Sequence, residues 1–137
     1  MPDLSNILSA REPLTLAQVA RGAQPLVMAD LARASTGRAV FIAPDDAAMR
    51  GIVEAAAFFA PELDVIEFPA WDSLPYDRAS PALSISARRL AALHRLQTGK
   101  AKAQLIVTTA NAVLQRVLTP FRIRESVREF KVGTEIG

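Results

Sequence analysis

The chain has 137 residues, half of them apolar, which suffices for one domain with its own core but not for two. A formal net charge of +2 with no basic block gives no charge argument for nucleic acid: Arg88-Arg89 is the longest pure run, and Arg122, Arg124 and Arg128 are interrupted. The absence of cysteine and the single histidine, His94, exclude disulfides, thiolate metal sites and multi-histidine centres.

No apolar run nears the ~20 residues that cross a bilayer. The start, Met1 to Glu12, lacks a basic stretch followed by an apolar one, so no secretory signal is read. A soluble cytoplasmic protein without membrane contact is expected.

In chain order, Leu14 to Val19 alternates and reads as a first strand. Gln24 to Ser35 reads as a helix with Pro25 in its first turn, where a missing N–H costs little, and Gly37 as its stop. Ala39 to Ala43 is continuously apolar, as a strand covered on both faces should be. Asp45 or Asp46 caps the next helix, in which Met49, Ile52, Val53, Ala56 and Phe59 fall on one stripe before Pro61. Leu63 to Phe68 is a third strand.

The stretch that follows, Phe68 to Pro81, holds three prolines and the chain's only Trp and Tyr, Trp71 and Tyr76. A plain connection of this kind takes about 2–6 residues. This one is longer and stiffened, because each proline fixes its own φ and pushes the preceding residue toward extended geometry. Two readings of the aromatics stay open: plugs folded over the sheet edge, or a rigid surface shown to another domain or protein.

A helix from Leu83 to Gln97 is expected to bury Leu83, Ala87, Leu90, Leu93 and Leu96, with Arg88 and Arg95 on a wetter face and Gly99 as its end. Gln104 to Thr109 reads as a fourth strand, Asn111 to Leu118 as a short helix, and Phe121 to Val132 as an exposed strand. Alternating strands and helices imply an α/β fold with a mostly parallel sheet and helices on both faces. The last residues, Thr134 to Gly137, offer no closing element, so the chain is expected to be the first piece of a longer protein. Residues 1–120 would form the α/β domain and residues 121–137 the start of a following lobe.

The chemistry-bearing constellations are sparse. A phosphate loop needs G-x-x-x-x-G-K-[ST], in which backbone N–H groups cradle phosphates, Lys neutralises them and the hydroxyl holds Mg²⁺. Gly22 begins such a spacing, but Val27, Met28 and Ala29 stand where Gly, Lys and the hydroxyl belong. Gly99-Lys100 is followed by Ala101 and fails too. No nucleotide cofactor is expected in this chain, and Gly22 reads as a turn residue.

Asp45-Asp46 with Thr108-Thr109 hints at a phospho-acceptor receiver. Pro69-Ala70 and Thr119-Pro120 stand where its third acid and its lysine would fall, so capping explains the acid pair better. His94 has no partner in sequence for nucleophilic chemistry. Asp72 and Asp77 read as turn formers, not metal ligands. No catalytic residue and no metal site is assigned; Trp71, Tyr76, Arg88 and Arg95 are the candidate interaction surface.

The run AWDSLPYDRASP, then Ser86-Ala87-Arg88-Arg89-Leu90, then LIVTTANAVLQRV and Pro120, resembles the N-terminal module of bacterial transcription-repair coupling factors (Mfd). The match extends from about Leu14 to Val132, and W-x-x-L-P-Y-D is its specific part; Ala70 replaces a frequent acid. The resemblance implies a fold related to the first domain of UvrB, itself a helicase-type α/β lobe, and implies that the coupling-factor module has lost its own nucleotide loop. It implies a non-catalytic module that mimics UvrB, helps recruit UvrA mainly through a following lobe, and restrains a parent ATP-dependent DNA translocase of helicase superfamily 2. ATP and Mg²⁺, DNA and RNA polymerase would be bound by downstream domains of that parent. The alternative is a lobe of an active helicase or NTPase completed by downstream sequence.

Overall fold

The computed structural model describes residues 4–35, 38–73, 80–99, 103–127 and 133. Among the described residues three short strands, β1 (Arg38–Ala43), β2 (Asp64–Phe68) and β3 (Gln104–Thr109), form one sheet in the order β1-β3-β2, and both pairings are parallel. Six α-helices accompany them among the described residues: α1 (Leu4–Ser9), α2 (Gln24–Ala34), α3 (Asp46–Phe59), α4 (Leu83–Thr98), α5 (Ala110–Leu114) and α6 (Pro120–Ser126). The α/β architecture with a parallel sheet is the one the strand–helix alternation implies.

The register sorts every strand residue onto one of two faces. Ala39, Leu105 and Val65 share a row, as do Phe41 and Val107, and these meet α2 and α3. Ala29 and Ala32 from α2 and Met49, Ile52 and Ala56 from α3 complete that core, all essentially buried. Small residues on α2 let it lie close to α3 and the sheet. On the opposite face Ile66 and Phe68 pack with Ala92 of α4 and Ala112 of α5, flanked by Leu93, Leu96 and Ile106.

Local chemistry sets several boundaries. Asp45 caps α3 by accepting a hydrogen bond from Ala48 N–H at 2.8 Å, and Pro25 sits in the first turn of α2. At the end of α4, Gly99 has ordinary φ, but a Cβ there would collide with the Gln104 side chain and the Arg95 carbonyl. Glycine is needed for close approach and not for a left-handed turn. The row Arg38, Gln104 and Asp64 is a polar chain across the sheet: Arg38 Nε donates to Gln104 Oε1 at 2.6 Å and Gln104 Nε2 donates to Asp64 Oδ2 at 2.7 Å.

Four expectations are corrected. Ala39 to Ala43 is not covered on both faces: Val40 and Ile42 are each 53% exposed, because α4 packs over β2 and β1 stands at the outer position of the sheet. Leu14 to Val19 is not a strand: residues 14–16 have no regular structure, Gln18 takes φ 61, and no ladder partner lies beside them among the described residues. Alternation alone does not make a strand without a neighbour to bond to. The segment from Phe121 opens in a helix, α6, with Thr119 as its cap, Pro120 in its first turn and Ile123 buried against the body. That cap-plus-proline start outweighed the alternating pattern. On α4 the buried stripe is Arg89 and Ala92 with Leu93 and Leu96 beside them, while Leu83 and Ala87 are exposed. The helix is rotated so that an arginine, not a leucine, enters the seam.

Candidate functional site

The crevice beyond the carboxyl end of β2 is where the chain concentrates its unusual chemistry. Phe68 ends β2, and Pro69 and Ala70 carry the chain outward to Trp71. Arg89, only 2% exposed, reaches into this corner from α4. Its guanidinium carbon lies 4.2 Å from the Phe68 ring centre and 4.5 Å from that of Trp71. The cation therefore contacts two aromatic rings, which partly replace its lost hydration.

Hydrogen bonds fix the arrangement. Arg89 Nη1 donates to Pro69 O at 2.5 Å and to Gln115 Oε1 at 3.2 Å, and that same Oε1 accepts from Trp71 N–H at 2.8 Å. Among the described residues Nη2 is buried without an acceptor and no carboxylate pairs with the group. Burial pushes the Arg89 pKa down, the direction expected when a cation loses water. Further along, Asp72 accepts from Ala82 N–H at 3.1 Å through Oδ1, tying the start of the Pro-rich segment to the start of α4.

The four residues assigned to an interaction surface fare differently. Trp71 is half-buried with its ring committed to Arg89. Tyr76 and Asp77 lie outside the described residues. Arg88 and Arg95 are about half exposed, and each is ion-paired to β2: Arg88 with Glu67 and Arg95 with Asp64. They lie on one face, as their spacing predicts, but that face meets strand carboxylates. Arg89 and Gln115 escaped sequence reasoning, although both stand in the motif segments. The available signal was spacing: Arg89 precedes the apolar Ala92 and Leu96 by one and two turns.

A cavity of about 100 Å³ adjoins this corner, lined among others by Asp46, Arg50, Glu67, Trp71, Asp72 and Arg88. Its size falls below the ~300 Å³ at which small-molecule sites usually begin. Gly22 sits in a short 3₁₀ turn (Arg21–Ala23) leading into α2, and no strand precedes it among the described residues. A Cβ on Gly22 would meet nothing within 4 Å, so no close approach requires glycine there. Val27, Met28 and Ala29 are interior residues of α2, and Met28 and Ala29 pack into the core.

The receiver-like residues are otherwise engaged. Asp45 caps α3; Thr109 Oγ1 accepts from Ala112 N–H at 3.3 Å; Thr108 Oγ1 donates to Phe68 O at 2.9 Å. Among the described residues no group of three or more His, Cys, Asp or Glu could hold a metal ion, and no helix is long and apolar enough to cross a membrane.

No family model matches the chain. Among curated proteins it is 28% identical over 121 residues, 88% of its length, to a transcription-repair-coupling factor of Haemophilus influenzae. It is 28% identical over 110 residues, 80% of its length, to that of Escherichia coli, and 36% identical over 62 residues, 45% of its length, to that of Rickettsia bellii. The chain spans a tenth or less of these relatives, from 5% to 10% of their length. With the Trp71 corner and the parallel α/β frame beside these matches, the chain resembles, over most of its length, a module of the transcription-repair-coupling factors.

Proposed function

We propose that this chain is the N-terminal module of a transcription-repair coupling factor and works by being bound, not by catalysis. In this reading it mimics UvrB, helps recruit UvrA to lesions that have stalled transcription, and restrains the ATP-driven DNA translocase of its parent. The observation that carries the reading is similarity to such factors over 80% to 88% of the chain. The α/β frame supports it, and so does a first strand–helix turn, Pro44-Asp45, with neither glycine nor lysine. RNA polymerase, DNA, ATP and Mg²⁺ belong to downstream domains, and the cytoplasm is the compartment.

Capture of purified UvrA tests this. A chain extended by about eighty residues should retain UvrA, and the 137-residue chain should retain it more weakly, because the main contact is expected in the following lobe. Failure of both to retain UvrA, with both folded by circular dichroism, overturns the recruiting role. Hydrolysis of ATP by the 137-residue chain above buffer background would overturn the non-catalytic part and favour an active NTPase lobe.

A further inference from the structure

Charge is not spread evenly along the chain. Between Asp77 and Glu125 there is no Asp or Glu, yet that stretch holds nine of the 16 Lys and Arg. It supplies α4 and α5 on one side of the sheet, and α6 packed against α4. Three of its arginines are committed: Arg89 is buried, and Arg88 and Arg95 pair with Glu67 and Asp64 of β2. Arg116, Arg122 and Arg124 are exposed. The acid beside them, Glu125, meets Arg122 at 3.5 Å in an exposed contact of little energetic weight. Among the described residues no carboxylate pairs with Arg116 or Arg124.

The same stretch carries the densest exposed apolar surface among the described residues. Val113, Leu114, Val117, Leu118 and Phe121 fall within nine positions, and all are exposed, Leu114 at 86%. α5 and α6 each bury one side chain in the body, Ala112 and Ile123, while these larger neighbours stay outside. Single apolar residues are ordinary on a surface; five within nine positions, interleaved with arginines, mark a contact region. Aromatic and arginine side chains are also the ones that dominate interface energetics.

We propose that the α5–α6 surface docks an acidic amphipathic helix of another protein. Leu114, Val117, Leu118 and Phe121 would receive its apolar stripe, and Arg116, Arg122 and Arg124 its flanking carboxylates. A helix fits better than a strand: α5 follows β3, whose two edges are taken by β1 and β2, so no ladder is open beside it. Protein fits better than nucleic acid, because three arginines neutralise few phosphates and the aliphatic groups between them gain nothing from a phosphate backbone. The inference stands apart from the UvrA reading, which places the main contact in a following lobe.

A labelled helical peptide of about 18 residues, with Leu at i, i+3, i+4 and i+7 and Glu on both flanks, is the probe; a Lys-flanked twin is the control. Fluorescence anisotropy on the full-length parent should show the Glu peptide binding about 10-fold more tightly than the twin at low salt. Leu118→Ser with Phe121→Ser, at exposed positions, should weaken it about 10-fold and leave the circular dichroism unchanged. Arg116→Glu with Arg124→Glu should turn the preference toward the Lys peptide. Absence of binding, equal binding of the two peptides, or binding that neither double variant alters overturns the inference. So does binding to the 137-residue chain but not to the parent, because the parent's own domains would then cover the surface. Duplex DNA that displaces the peptide from the parent, and keeps its affinity in the serine variant, assigns the surface to nucleic acid and overturns it as well.

Discussion

Arg89 brings a positive charge into a buried corner, where two aromatic faces and two acceptors compensate it and no anion pairs with it among the described residues. Truncating it strips Pro69 O and Gln115 of a donor and leaves a void between two rings. Arg89→Ala should therefore lower stability by about 2–4 kcal/mol, seen as a reduced urea midpoint. Arg89→Met should cost less, about 1–2 kcal/mol, because no carboxylate among the described residues pairs with the cation and methionine fills much of the space. Trp71 is the only tryptophan, so its emission reports this corner directly. Both variants should change native emission, and an unaltered spectrum would mean that the Arg89–Trp71 stack does not form in solution.

A second residue-scale expectation concerns the exposed pair Arg33–Glu62, in which Arg33 Nε donates to Glu62 Oε1 at 2.8 Å. A hydrogen bond from its own backbone, followed by Arg33, holds the Glu62 carboxyl below its usual 4.5. A depressed carboxylate pKa contributes stability that is present above 4.5 and is lost as pH falls through the folded value. The gap between the parent chain and Glu62→Gln in urea midpoint should be small at pH 7 and close on acidification. A gap that widens toward low pH would contradict the pairing.

At the scale of elements, substitution at Gly99 tests the tightest helix-to-strand approach. A methyl group there meets the Arg95 carbonyl, which cannot yield without unwinding the end of α4, and Gln104, which belongs to the polar chain across the sheet. Gly99→Ala should cost about 1–3 kcal/mol, although alanine ordinarily favours a helical end. A neutral or raised thermal midpoint would show that α4 and β3 are further apart than described. Asp45→Ala should cost about 1 kcal/mol through the lost cap on Ala48 N–H.

These same elements show what was legible. β1, β2, β3 and α3 could be read because short runs rich in apolar and β-branched residues, or a stripe behind a capping Asp, are specified locally, whereas the open face of β1 at Val40 and Ile42 is not. Leu14 to Val19 misled because strand formation depends on a neighbour that local pattern does not specify. The stretch from Phe121 to Ser126 misleads because its alternation competes with the Thr119-Pro120 helix start, while residues 128–132 lie outside the described residues. At the candidate site, Trp71 was visible as an oddity, but its partner Arg89 was not. A buried arginine is recognisable only once the rotation of its helix and the path of the loop are both known.

For the whole molecule, the proposed role requires that the lobe ignore nucleotide, and mass action makes this measurable. A ligand at 100 times its Kd stabilises a folded protein by about 2.7 kcal/mol. For a domain of this size that is a rise in melting temperature of roughly 6–15 °C, so even weak specific binding is visible at millimolar Mg-ATP. We expect a shift below about 1 °C, because Val27, Met28 and Ala29 are turned to helix and core instead of a phosphate cradle and the Pro44-Asp45 turn presents an acid. Sulfate or chloride at matched ionic strength controls for screening of surface charge. A saturable rise of several degrees with Mg-ATP and none with the salts would mean that a nucleotide site exists by another route. The module would then belong with working NTPase lobes, whatever its resemblance to a coupling factor.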